Sequence, residues 1–258
     1  MIGIFDSGIG GLTVVRELER QAPDVPFIYL GDTARTPYGN KSAETVIRYA
    51  LEDVAFLVRQ GATAIVIACN SASSVATDAL RVAYPSIPVF EVITPAAEDA
   101  LAATKGRIGV IGTRATITSG AYERHLSAQK VEVVVAACPL FVPLVEEGWL
   151  EDAETKRIAR RYLSPLRKQQ VDTLILGCTH YPLLAPIIRR YMGNRVTLVD
   201  SGTSVVRRVL AGLDASRPDL QAPRRFYLTD TSARSEEIAA TWLGHPVTFE
   251  RADLLCQT

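Results

Sequence analysis

Ile65-Val66-Ile67-Ala68-Cys69-Asn70-Ser71 and Leu174-Ile175-Leu176-Gly177-Cys178-Thr179-His180 read as two copies of one strand ending. In each, a short apolar run bounded by small polar residues predicts a strand buried on both faces, as in a parallel sheet covered by helices. In each, a cysteine stands where the strand hands the chain to the next loop, the edge at which open α/β sheets hold ligands. Two thiols so placed are able to reach one substrate from opposite sides.

Working outward, short apolar runs alternate with helical patterns along the whole chain. Strands are expected near residues 2–5, 27–30, 64–68, 88–92, 107–111, 131–136, 172–176, 195–199, 225–229 and 246–249. Such alternation predicts α/β architecture with mostly parallel sheets. Ser42 is placed to cap a helix carrying Val46, Ile47, Ala50, Val54 and Leu57 on one face, with Gly61 ending it. Ile2-Gly3-Ile4-Phe5-Asp6-Ser7 also resembles Ile108-Gly109-Val110-Ile111-Gly112-Thr113 at an offset of 106, and the cysteine strands repeat at 109. A third match, residues 89–94 with 196–201, is read at 107. The expected fold is two similar doubly wound α/β lobes related by a pseudo-twofold axis, with the active site in the crevice between them. Residues 1–94 and 205–258 form the first lobe, carrying Cys69, and residues 95–204 the second, carrying Cys178. Residues 215–223 read as a surface loop.

Composition narrows the function. With 48% hydrophobic and 22% charged residues the chain is an ordinary globular one, and 28 basic residues balance 28 acidic ones. That balance gives no nucleic-acid footprint and no electrostatic membrane anchor, so a small neutral or anionic ligand is expected. No apolar run approaches the roughly 20 residues of a membrane span. Met1 runs straight into the first strand, which predicts no signal peptide, no amino-terminal regulatory extension and a cytoplasmic location. Cys69, Cys138, Cys178 and Cys256 then read as free thiols, and no C-x-x-C pair supports a metal.

Several loops meet the same crevice. Asp6-Ser7-Gly8-Ile9-Gly10-Gly11-Leu12 ends the first strand with closely spaced glycines that admit a ligand to the backbone. Thr13 breaks the dinucleotide pattern, and no Gly-Lys-Ser/Thr follows. Gly31-Asp32-Thr33-Ala34-Arg35-Thr36-Pro37-Tyr38-Gly39-Asn40 is too rich in turn formers for a helix, and Tyr38 suits either packing or binding. After Cys69, the hydroxyls and amide of Asn70, Ser71, Ser73 and Ser74 open a helix whose N-terminus suits a substrate carboxylate and a thiolate. His180, two residues after Cys178, suits a charge partner or proton relay, with metal binding as the rival. His125 and His245 lie in helical or surface contexts. Cys138, before Pro139, reads as structural. Glu146 and Glu147 are either solvated helix-end charges or acids reaching the crevice.

Taken together, these segments resemble the cofactor-independent aspartate/glutamate racemase family, bacterial glutamate racemases in particular. The resemblance rests on Ile4-Phe5-Asp6-Ser7-Gly8-Ile9-Gly10-Gly11-Leu12, Pro37-Tyr38-Gly39, Ala68-Cys69-Asn70-Ser71-Ala72-Ser73, Cys138-Pro139-Leu140-Phe141-Val142-Pro143-Leu144-Val145-Glu146 and Leu176-Gly177-Cys178-Thr179-His180-Tyr181-Pro182-Leu183. Ser71 stands where the family more often has threonine. The resemblance implies interconversion of L- and D-glutamate for peptidoglycan, with no cofactor and no metal, by a homodimer. It makes Cys69 the base for D-glutamate, assisted by Asp6, and Cys178 the base for L-glutamate, assisted by His180. Ser7, Tyr38, Gly39, Asn70, Ser71 and Thr179 would bind substrate, with Asp32 and Glu146 as further assistants and Glu147 the alternate to Glu146. Rival readings are a racemase for aspartate or hydantoins, a one-cysteine decarboxylase, a two-lobed binding protein, and a hydrolase using Cys178 and His180.

Overall fold

The computed structural model describes residues 1–127, 129–212 and 223–254. Its strands are β1 (Ile2–Asp6), β2 (Phe27–Gly31), β3 (Ala64–Ile67), β4 (Val89–Glu91), β5 (Arg107–Gly112), β6 (Glu132–Ala137), β7 (Thr173–Gly177), β8 (Thr197–Asp200), β9 (Arg225–Leu228) and β10 (Glu250–Arg251). The first nine lie within two residues of the apolar runs that predict them. The last does not: the chain enters the sheet at Glu250, not at residue 246. Pro246 has no N–H for a ladder, and the first rungs are Glu250 opposite Tyr227 and Arg251 opposite Leu228.

The helices are α1 (Leu12–Gln21), α2 (Ala43–Arg59), α3 (Asn70–Ala83), α4 (Ile93–Ala103), α5 (Arg114–Thr118), α6 (Ala121–Leu126), α7 (Phe141–Glu146), α8 (Ala153–Lys168), α9 (Ala185–Met192), α10 (Ser201–Gly212) and α11 (Ala233–Leu243). Ser42 caps α2 by accepting from the Thr45 N–H at 3.3 Å, and Gly61 follows at φ +94°, a conformation that favours glycine. The loop at residues 31–40 does contain helical turns, but only two single 3₁₀ turns, Thr33–Arg35 and Tyr38–Asn40. Cys256 and residues 215–222 lie outside the described residues.

All pairings are parallel, and they build two sheets: six strands in the order β10-β9-β2-β1-β3-β4 and four in the order β6-β5-β7-β8. The orders β2-β1-β3-β4 and β6-β5-β7-β8 are the same, and so are the registers. Ile2 pairs with Phe27 and Ala64 as Ile108 pairs with Val133 and Thr173. Ile65 opposite Val89 matches Leu174 opposite Leu198, so Val89 is equivalent to Leu198, not to Val196. The third repeat therefore keeps the offset of the cysteine strands, and the value of 107 is corrected. The sheet changes between β4 and β5 and again between β8 and β9; the expected crossings after Thr94 and Ser204 fall inside α4 and α10.

Alternation along β1 sends neighbouring side chains into different cores. Phe5 packs with Ile28, Leu30, Val54 and Leu57 under α2 and α3. Ile4 packs with Leu12, Val15 and Tyr29 in a second cluster that continues through Ala97 and Val206 to Ile108, Val110 and Leu174 of the other sheet. One hydrophobic core thus crosses from lobe to lobe, and the strand ends face a shared crevice.

Candidate active site

Because parallel strands deliver their carboxyl ends to one edge, the loops after β1, β3, β5 and β7 converge. Cys69 is the N-cap of α3; its Sγ accepts from the Ala72 N–H at 3.5 Å and donates to Ser7 Oγ at 3.4 Å. Cys178 follows β7, with its Sγ 3.8 Å from His180 Nδ1. His180 Nε2 lies 3.0 Å from Glu146 Oε1 at the end of α7, making a chain from carboxylate to imidazole to thiol. Both thiols border one cavity of about 300 Å³ between the lobes. So do Ser7, Tyr38, Gly39, Asn70, Ser71, Thr179, His180 and Glu146; Asp6, Asp32 and Glu147 do not.

Polar side chains on the wall are largely engaged with one another across the crevice. Asn70 accepts from Tyr122 Oη at 2.8 Å and donates to Ser201 Oγ at 3.3 Å. Ser71 Oγ lies 2.9 Å from Thr113 Oγ1, which is 3.0 Å from Thr116 Oγ1. Thr13 donates to the Thr179 carbonyl at 2.9 Å, tying α1 to the loop of the second thiol. The Tyr38 phenol is fully buried and points away from the cavity, toward Asp32 and Asp53.

Gly10 explains one glycine of the first loop. An added Cβ would stand 2.5 Å from His180 Cε1 and 2.6 Å from its Nδ1. The Thr179 hydroxyl stands closer still, so the close neighbours at Gly10 are two side chains of the second lobe, and only Gly8 of this trio borders the cavity itself.

Thr113 and Arg114, which also border the cavity, were not singled out by the sequence reading. The repeat held the signal for Thr113, since it is the copy of Ser7. Arg114, at the start of α5, is the copy of Gly8, which has no side chain to mark the position. Cys138 is buried just after β6, and its carbonyl accepts from Tyr181 Oη at 2.8 Å.

The two thiols sit in unequal fields. Burial pushes the Cys69 thiol up to about 12, and the Asp6 carboxylate adds to the rise, against smaller help from Ser7 and the Ala72 N–H. The start of the helix favours a thiolate through the Ala72 N–H, but desolvation outweighs that help. Burial also raises Asp6, opposed by the His180 charge and by the N–H groups of Gly11 and Gly8. For His180, burial works against the charged ring, but hydrogen bonds to Cys178 and Glu146 prevail and carry it up to about 10. When protonated, the ring has both N–H groups placed to donate, one to sulfur and one to carboxylate. Among the described residues no group of three or more His, Cys, Asp or Glu side chains is arranged to hold a metal ion, and no helix is long and apolar enough to cross a membrane.

Two matching lobes thus bring a pair of buried thiols to one cavity. A family model described as Asp/Glu/Hydantoin racemase matches residues 2–209, and the chain belongs to that family. It is 48% identical over 250 residues to the glutamate racemase of Geobacter metallireducens, covering 94% of this chain and 92% of that one. It is 46% identical over 251 residues to that of Enterococcus faecalis, with the same coverages of 94% and 92%. Among solved structures, a glutamate racemase isoform from Bacillus anthracis superposes with a TM-score of 0.93 at 40% identity, covering 98% of this chain and 97% of that one. The glutamate racemase from Francisella tularensis in complex with D-glutamate does so at 0.90 and 34%, covering 99% and 98%.

Proposed function

We propose that the protein is a glutamate racemase that interconverts L- and D-glutamate through two cysteine bases and no cofactor. The observation that carries this reading is the single cavity bordered by Cys69 and Cys178, each at the end of an equivalent strand in one of two equivalent sheets. Inversion at Cα needs a base on one face and an acid on the other, and a thiol from each lobe meets that need without a side chain swinging around the substrate.

In the L to D direction, Cys178 takes the α-proton onto sulfur, and Cys69 delivers its S–H proton to the opposite face of Cα. A negative charge on Cys178 has the His180 imidazolium to face, and the raised Cys69 thiol holds the proton it must give. In the reverse direction Cys69 is the base, with Asp6 buried nearby as its assistant, and Cys178 the acid. Ser7, Asn70, Ser71, Thr179 and the backbone at Tyr38 and Gly39 bind substrate. Asp32 assists only from behind the wall. Water exclusion by the buried cavity strengthens every charge contact made during the transfer. The relatives' names support glutamate as substrate, and family resemblance supports a cytoplasmic homodimer that supplies D-glutamate for peptidoglycan.

Incubation with L-glutamate in heavy water, followed by circular dichroism and deuterium content at Cα, tests the activity. Loss of optical rotation with uptake of deuterium is expected; the absence of both would sink the reading. Cys69→Ser and Cys178→Ser each should lower racemisation by at least about 100-fold. Full racemisation in either variant would exclude two cysteine bases.

A further inference from the structure

Behind the cavity wall lies a set of buried charges that do not border the cavity. Asp32 and Asp53 are each fully buried. Asp53, on α2, accepts from Arg35 Nη2 at 2.9 Å through Oδ1, and its Oδ2 lies 2.9 Å from Tyr38 Oη. The same phenol contacts Asp32 Oδ2, and Arg35 Nε donates to Asp32 at 2.6 Å. Arg35 also pairs with Glu52 and lies 4.1 Å over the Tyr49 ring, on which Tyr38 packs at 5.5 Å. Asp32 Oδ1 accepts from Thr229 Oγ1 at 2.9 Å.

Burying two carboxylates is costly unless each is paired and hydrogen-bonded. Here the whole arrangement converges on one segment, residues 36–40, which forms one wall of the cavity. Gly39 in that segment touches the second lobe: a Cβ added there would meet Thr113 Cβ at 3.1 Å. A shift of the wall would therefore alter both the cavity and the seam where the lobes meet.

We propose that Asp53 is a positioning residue of the racemase site, which it serves by holding Tyr38, and through Tyr38 the wall at residues 36–40, in the place that glutamate requires. This rests on the glutamate racemase reading given above. The proton count specifies how it holds. A phenol has one hydrogen, so its contact with two carboxylates is satisfied when Tyr38 donates to Asp32 and a protonated Asp53 donates to Tyr38. Burial, with the neighbouring Asp32 charge adding to it, pushes Asp53 well above the ordinary carboxylate range, in accord with that count. An asparagine reproduces the donor and the acceptor of a protonated aspartate, whereas leucine reproduces neither.

The test is steady-state kinetics with L-glutamate on the wild type, Asp53→Asn, Asp53→Leu and Tyr38→Phe, each with a thermal melt. Asp53→Asn should keep KM within about twofold, while Asp53→Leu and Tyr38→Phe raise it about tenfold with kcat changed less than about threefold. Wild-type KM in Asp53→Leu, or Asp53→Asn as impaired as Asp53→Leu, would overturn the proposal. If Asp53→Leu does not fold, Tyr38→Phe decides, because it keeps the ring packing and removes only the hydroxyl; an unchanged KM there refutes the role. Wild-type turnover reports on the racemase reading, and the ratio of variant to wild type reports on Asp53, so the two failures are distinct.

Discussion

His180 holds a charge that its burial opposes, and Glu146 is one of the two groups that keep it there. Its folded pKa lies above the ordinary 6.5, so the stabilisation from the charged ring is fully present below about pH 6.5 and is lost as pH rises through about 10. Nitrogen-15 NMR of the imidazole should show a protonated ring at pH 7.5, with a lower titration midpoint in Glu146→Gln. A neutral ring at pH 7.5 in the wild type would contradict the relay. The pairing of Cys178 with His180 was legible because the two residues are only two apart in the chain. The cluster of Asp53 with Arg35 and Tyr38 was not, because an aspartate on a helix reads as a solvated charge until the fold brings residue 53 against residue 38. The rise at Cys69 was not legible for a related reason: a helix start is visible in a sequence, but the desolvation that outweighs its dipole is not.

Among the elements, the turn from β1 to α1 shows how two lobes share one site. Gly10 leaves the space that Thr179 and His180 fill, so Gly10→Ala should displace both side chains and destabilise the fold by about 1–3 kcal/mol, as overpacking does. Urea unfolding and racemase assays on the variant check this; unchanged stability together with unchanged rate would show that the turn yields freely. Nine strands were readable because buried parallel strands are nearly continuous apolar runs. β10 was not, since its Glu250 and Arg251 are exposed charges held in the sheet by pairing with β9 and not by an apolar pattern. The glycine-rich loop was read as room for a ligand, whereas at Gly10 the room is taken by Thr179 and His180, distant in sequence.

For the whole molecule, the hydrophobic cluster that runs from Ile4 through Ala97 and Val206 to Leu174 makes the lobes one thermodynamic unit. Calorimetry should give a single unfolding transition whose van't Hoff and calorimetric enthalpies agree. Two resolved transitions would mean that the shared core does not couple the lobes. Two-lobed architecture was legible from the repeat, because matching strand orders leave matching sequence; the fusion of the cores was not, as it depends on how α4 and α10 lie between the sheets. On the racemase reading, the unequal neighbours of the two thiols, a serine hydroxyl at Cys69 and an imidazolium at Cys178, meet a thermodynamic limit. L- and D-glutamate have equal free energies in water, so the equilibrium constant is unity and kcat/KM must be identical for both. The asymmetry is therefore free to make one enantiomer bind tightly and turn over slowly and the other the reverse, yet no substitution at Ser7, Asp6, Glu146 or His180 can make the enzyme accumulate one hand.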